Sequence, residues 1–279
     1  MERSNLRSAS ERLLYRLLGS LSSDANRRTE EEIDGDIDDT ELRRGVFNKI
    51  SQRFGPDFDI AGKRVLEIGC GVGDLAICMA EVGAQVTALD IDAARIEQAE
   101  LKRIAAGVGQ SVLFVHADFL NFEGDAVFDR IVALESFEHL PAPERFLKKM
   151  AGLLTPGGKI LSVWGPTWLS PFGAHLGGFT RIPWVHLLFP EQVVLAVRRA
   201  MYRPTDPAKR YEEVRGGLNR MTVAHFRECV AEAGLVLDRF EVNPQFVREP
   251  LRTINRLVTA VPRLGEFLSH TVLAVISRS

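Results

Sequence analysis

The sequence predicts an α/β protein built on a mostly parallel sheet with helices on both faces, and three observations carry that expectation. From Val65 to Ser162 short apolar runs alternate with helical segments, the pattern that lays strands side by side with helices crossing over them. The first run, Val65, Leu66 and Ile68, leads at once into Gly69, Gly71 and Gly73 and then into a helical segment from Leu75 to Val82. The second run, Val86 to Leu89, ends in the acidic Asp90. A strand, a glycine turn and a helix start leave backbone N–H groups unpaired where a ligand can approach the main chain, the usual way of holding a nucleotide beyond the carboxyl ends of such strands.

The elements follow in order. Residues 8–21 place Leu13, Leu14, Leu17, Leu18 and Leu21 on one helical face, with Arg12 and Arg16 off it. That face covers the core, the ligand site or a second subunit. Asp24 to Glu41 carries nine acids and two arginines, the composition of a mobile linker, and its DGDIDD run lacks the later bidentate Glu of a calcium loop. Thr40 is placed to cap a helix in which Leu42, Val46, Ile50 and Phe54 recur every fourth residue until Gly55-Pro56 stops it. Beyond the glycine turn, Asp92 caps a helix from Ala93 to Ala106 that Gly107 ends. Gly69, Asp90, Asp118 and Glu135 all fall at strand ends, and so at one site.

After Trp164 the periodicity is lost. Residues 165–190 hold four prolines, two tryptophans, three phenylalanines and two histidines without a clean period, the composition of a substrate lid or of a packed connection. Arg198 to Arg220 carries seven basic residues against three acids, a solvated face or a surface for an anionic group or lipid. Thr222 to Ala233 is a helix, LVLDRFEV a sixth strand and TVLAVIS the last one. Between those strands, a helix from Pro250 shows Leu251, Ile254, Val258 and Val261 on one side and Arg248, Arg252 and Arg256 on the other, which fits an ordinary surface helix or peripheral contact with an anionic membrane. The chain so divides into N-terminal helices and acidic linker (1–55), a nucleotide-binding core (56–164), an inserted lid (165–220) and a C-terminal completion of the sheet (221–279).

The nucleotide is narrowed by spacing. A dinucleotide fingerprint, GxGxxG, needs glycine where this chain has Asp74, and a pyrophosphate would meet a carboxylate there. An NAD-type oxidoreductase is therefore the weaker reading. VLEIGCGVG, VTALDID, HADF, FDRIVALESFEHL and LLTPGGKILSV occur in that order between about Asp59 and Trp164, and together they resemble the motifs of the class I S-adenosylmethionine-dependent methyltransferases. The resemblance implies a Rossmann-like seven-stranded sheet whose last strand enters antiparallel. It implies S-adenosyl-L-methionine as the cofactor, held by Glu67, Gly69, Gly71, Gly73, Asp90, Ile91, Asp118, Phe119 and Glu135, with Asp118 on the adenine amino group and Phe119 packed on its ring.

Methyl transfer from a sulfonium is an in-line displacement, so the protein has mainly to align donor and acceptor and exclude water. A hydroxyl acceptor also needs a base or a metal, and His139, His175 and His186 are the candidate bases. Glu135, Glu138 and His139 form an ExxEH that resembles the motif of small-RNA 2′-O-methyltransferases and ubiquinone-pathway O-methyltransferases. In those families it is linked to a divalent cation completed by a later histidine, here His175 or His186. The alternative has Glu135 facing the cofactor and Glu138 capping a helix, with no metal.

The composition agrees with one elaborated α/β enzyme: 279 residues, 46% hydrophobic, with a net charge of −2 that gives no steering toward nucleic acid. Cys70, Cys78 and Cys229 show no metal or redox spacing and are expected reduced. No apolar run reaches the ~20 residues that span a bilayer, and MERSNLRSAS is too polar for a signal sequence, which makes a cytoplasmic protein the default. There is no NPPY-like or Pro-Cys sequence after the fourth strand and no basic, aromatic-interleaved RNA surface. A small or lipid-linked acceptor, methylated at oxygen, is the expectation. A cofactor-binding protein without catalysis is the remaining alternative, and the sequence leaves the oligomeric state open.

Overall fold

A computed structural model describes residues 8–21, 40–123, 127–174, 182–201, 205–214, 217–245, 249–261 and 263–279, with backbone alone at 19–21 and 40–42. Two helices, α1 (Ala9–Leu21) and α2 (Thr40–Phe54), precede the sheet. The core then runs β1 (Arg64–Ile68), α3 (Asp74–Glu81), β2 (Gln85–Asp90), α4 (Ala93–Ala106), β3 (Val112–His116), β4 (Phe128–Leu134), α5 (Pro143–Leu153) and β5 (Leu154–Trp164). An insertion holds α6 (Val185–Leu188) and α7 (Glu191–Met201). The chain closes with α8 (Val223–Glu232), β6 (Leu235–Val242), α9 (Leu251–Thr259), α10 (Leu264–Leu268) and β7 (Val272–Arg278).

The seven strands lie in the order β3-β2-β1-β4-β5-β7-β6, and β7 pairs antiparallel with both β5 and β6. That is the sheet the resemblance implied. Successive side chains of a strand point to opposite faces, so Val65 and Leu66 enter different cores. Leu66, Ile68, Phe137, Phe146, Trp164 and Phe226 pack on one face; Phe54, Val65, Ile77, Val132, Leu161 and Leu273 pack on the other. A sheet buried on both faces explains why its central strands read as continuous apolar runs.

Helix α2 is set by its apolar fourth residues: Ile50 and Phe54 are buried, and Phe58 stacks on Phe54 with ring centroids 6.2 Å apart. Gly55 ends the helix at φ 56°, and the Arg239 guanidinium donates to the carbonyls of Phe54 at 3.1 Å and Arg53 at 2.9 Å. Those last-turn carbonyls have no partner within the helix, so a cation there satisfies both charge and hydrogen bonding. Helix α4 begins as expected, with Asp92 Oδ1 accepting from Ala94 N at 3.0 Å, and ends at Gly107, φ 66°.

The N-terminal leucines do not all share one fate. Leu14 and Leu18 are buried with Val193, Val194 and Val197 of α7, whereas Leu13 is exposed, so α1 covers the insertion and not the main core. The acidic linker expected at 24–41 falls largely on residues 22–39, outside the described residues. Among the described residues no helix is long and apolar enough to cross a membrane.

Candidate active site

The glycine turn is a wall of a cavity of about 650 Å³ at the carboxyl ends of β1, β4 and β5. Glu67, Gly69 and Gly71 line it from β1 and its turn, and Glu135 lines it from the end of β4. Gly69 (φ 75°) lets the β1 and β4 ends approach, since a Cβ there would sit 3.2 Å from Ser136 Oγ. At Gly71 (φ 55°) a Cβ would meet only Arg95 Nη1, at 3.8 Å, so that stretch of backbone is open to a ligand.

Gly73 has another reason. It starts α3 at φ 82°, and a Cβ there would come within 2.4 Å of the Phe114 ring. It holds helix against sheet and does not line the cavity. Asp90 also stands behind the wall: its carboxylate accepts from Gly71 N at 2.8 Å and Asp92 N at 2.9 Å, tying the glycine turn to the end of β2. Ile91 is exposed beside it. Asp118 caps the turn after β3 by accepting from Leu120 N at 2.9 Å, and Phe119 is buried against Phe146, ring centroids 5.4 Å apart. The structure thus brings Glu67, Gly69, Gly71 and Glu135 to one cavity and leaves Gly73, Asp90, Ile91, Asp118 and Phe119 off its lining.

Two carboxylates have unusual settings. Glu67 is buried, its Oε2 has no hydrogen-bond partner among the described residues, and burial, then Asp74 and Asp90, push its carboxyl from the ordinary 4.5 to about 8. Glu135 occupies the left-handed region, φ 48°, which costs a non-glycine residue energy and so marks a position held by its surroundings. Its N–H donates to Val163 O at 2.6 Å. Asp74 lines the cavity as the first residue of α3 and pairs with Lys102 at 3.2 Å, which leaves a carboxylate where a pyrophosphate would need open backbone.

The turn after β4 joins this cavity to the insertion. Glu138 Oε1 accepts from Gly165 N at 3.1 Å, His139 Nδ1 donates to Gly217 O at 2.6 Å, and Asn219 Nδ2 donates to Phe137 O at 2.6 Å and Leu140 O at 2.7 Å. A carbonyl can only accept, so His139 carries a proton on Nδ1. Burial raises the Glu138 carboxyl to about 7. Among the described residues no three of His, Cys, Asp and Glu come together in a way that could hold a metal ion. Glu138 and His139 are each bonded to a main-chain partner that positions a loop, and His175, one of the two histidines expected to complete a cation site, lies outside the described residues. His186 is buried, donates Nε2 to Trp168 O at 2.7 Å and has a lowered pKa through burial. It locks the insertion. His175 lies outside the described residues.

Sequence reading missed the wall opposite the glycines. Val46, Lys49, Ile50 and Arg53 reach the cavity from α2, and Arg95 and Gln98 reach it from α4. The available signal was the pair Lys49 and Arg53, four apart and so on one helical face.

The chain matches the methyltransferase domain family over residues 39–239. Among curated relatives, a ubiquinone biosynthesis O-methyltransferase of Xanthomonas euvesicatoria is 38% identical over 102 residues, 37% of this chain and 43% of the relative. That of Stutzerimonas stutzeri is 37% identical over 101 residues, 36% and 44% of the two chains. The chain spans less than half the length of these relatives. The magnesium protoporphyrin IX methyltransferase of Synechocystis with bound S-adenosylhomocysteine superposes with a TM-score of 0.54 at 17% identity, over 97% of this chain and 100% of that one. The [4+2]-cyclase SpnF superposes with a TM-score of 0.54 at 16% identity, over 96% and 92%. At such identities the structures show the fold alone.

Proposed function

The chain belongs to the methyltransferase domain family, as a class I S-adenosylmethionine-dependent methyltransferase, and from that premise we propose that it methylates an oxygen of a small-molecule or lipid-linked acceptor. The observation that carries the reading is the cavity at the strand ends, where open backbone at Gly71 adjoins the buried, unpartnered Oε2 of Glu67. A buried carboxyl oxygen without a partner costs free energy unless a ligand supplies one, and the charged amino group of the donor's methionine portion is such a ligand, favouring the ionised form of Glu67 once bound. Bound S-adenosylmethionine supplies an electrophilic methyl group on sulfur. Glu67, Gly69, Gly71 and Glu135 would hold it. Asp90 would act on the ribose while bracing the glycine turn, and Asp118 and Phe119 would fix the adenine end.

The acceptor side is then the turn carrying His139, with the insertion at 165–220 as its cover. His139, on the same turn, is the residue proposed to take the hydroxyl proton as the oxygen attacks. The oxygen assignment is supported by the names of the ubiquinone biosynthesis relatives. It is tested by incubating the protein with S-adenosylmethionine bearing a deuterated methyl group and a panel of phenols with and without apolar tails, followed by mass spectrometry. The label is expected on a phenolic oxygen. Label on carbon or nitrogen, or cofactor binding without transfer to any acceptor, would overturn the oxygen assignment.

A further inference from the structure

Helix α9 is inside out. At 100° per residue, Arg252, Asn255, Arg256 and Thr259 share one side, and this polar side faces the protein. Asn255 Nδ2 donates to Val242 O at 2.9 Å and its Oδ1 accepts from Asn243 Nδ2 at 2.9 Å, which fastens that side to the end of β6. The apolar side points away, with Leu251 55%, Ile254 51% and Leu257 67% exposed and no residue of the helix buried. Helix α10 continues it. Gly265 packs so closely that a Cβ would lie 2.3 Å from Thr259 O, while Leu264 is 56% exposed and Phe267 and Leu268 also face solvent. A surface helix ordinarily does the reverse, so a row of large apolar side chains held outward marks a face that something covers.

Charge says what covers it. Behind α9 lies a cavity of about 680 Å³ lined by Lys49, Arg53, Arg227, Arg239, Arg252 and Arg256, with Glu241 its one acid. Glu241 is already paired with Arg239 at 2.8 Å, and the other five cations form no ion pair among the described residues. Arg263 adds an exposed cation between the helices, and Glu266 is turned inward onto Val223 N and Ala224 N. A second copy docked on this face about a two-fold axis would set Arg252, Arg256 and Arg263 against their own counterparts.

We propose that α9 and α10 form a docking surface for an anionic phospholipid bilayer, with the outward leucines, Ile254 and Phe267 in the acyl boundary and a lipid phosphate drawn into the arginine-lined cavity. An outward apolar face backed by an arginine-rich polar face is the pattern of helices lying in the membrane plane. Lys49 and Arg53 line both this cavity and the cofactor cavity, so the bilayer would lie against the wall next to the reacting centre. The inference goes beyond the methyltransferase reading and does not depend on it.

The test is flotation of the full chain with vesicles of phosphatidylcholine alone and with vesicles rich in phosphatidylglycerol, alongside calorimetry with inorganic phosphate. Flotation is expected with the anionic vesicles only, weakening as salt rises. The pair Ile254→Ser with Leu257→Ser and the pair Arg252→Gln with Arg256→Gln should each lower partitioning by roughly tenfold or more. These side chains are exposed, so an unchanged Tm and unchanged S-adenosylmethionine affinity would show each variant folded, and would keep a failure here separate from a failure of the methyltransferase reading. Absence of flotation with anionic vesicles, or flotation that neither pair alters, would overturn the proposal. So would saturable phosphate binding without vesicle binding, or a dimer that Leu257→Ser dissolves.

Discussion

The two walls of the active site are built in opposite ways. The wall proposed for the cofactor comes from the ends of two paired parallel strands, with Glu67, Gly69 and Gly71 from β1 and its turn and Glu135 from the end of β4. The wall proposed for the acceptor is stitched from distant pieces: the turn after β4, Gly165 beyond β5, and Gly217 and Asn219 at the end of the insertion. The first is fixed by backbone hydrogen bonds of the sheet and its glycine turn; the second hangs on a few side-chain bonds to main-chain carbonyls and one N–H. Damage to the cofactor wall should therefore appear as lost affinity, and damage to the acceptor wall as lost turnover.

The largest effect is expected at Asp90. Asp90→Ala removes the acceptor for Gly71 N and Asp92 N as well as the group proposed for the ribose, and calorimetry should show S-adenosylmethionine affinity falling by about a hundredfold or more. Unchanged affinity would detach Asp90 from the site. On the other wall, His139→Ala should lower kcat by roughly 10²–10⁴-fold at nearly constant cofactor affinity, the range for loss of a general base. Full activity would return His139 to a loop-holding role.

Asn219→Ala sharpens the comparison further. It leaves Phe137 O and Leu140 O without their donor, and should raise the acceptor's KM several-fold with the cofactor untouched. Equal losses for both ligands would show the two walls to be one unit.

The smallest effect is one of pH. Burial raises the Glu67 carboxyl to about 8, so the ligand-free protein keeps a proton that the unfolded chain releases above 4.5. The contribution of Glu67 to stability is then fully present below 4.5 and is lost as pH rises through 8, and that of Glu138, raised to about 7, runs in the same direction. Thermal melts should lose several degrees from pH 5 to 8, and Glu67→Gln should flatten part of that slope, a shift of about 2–4 °C per kcal/mol. A slope unaffected by the substitution would mean that Glu67 ionises normally.

The same contrast explains what could be read from the sequence. Strand, glycine turn and following acid are local patterns, so the sheet, the glycine positions and the helix limits at Asp92 and Gly107 were legible. Local patterns do not tell which way a side chain is spent. Nothing local in the sequence says that Gly73 packs against the Phe114 ring, or that Glu138 and His139 bond main-chain groups from far along the chain. Period alone also fails to say which side of a helix faces inward. Helices α2 and α9 are both amphipathic, and α2 buries Ile50 and Phe54 where α9 buries nothing. Val46, Lys49, Ile50 and Arg53 were missed for a related reason, because the cavity they line exists only once α2 lies over the sheet.

The most direct test of the account is titration calorimetry of the purified chain with S-adenosylmethionine, set beside Glu67→Gln and Asp90→Ala. Saturable one-site binding that Asp90→Ala abolishes and Glu67→Gln weakens, with no response to NAD, is the predicted result. Binding of neither nucleotide, or binding of S-adenosylmethionine that both variants leave unchanged, would contradict the placement of the cofactor at the carboxyl ends of β1 and β4.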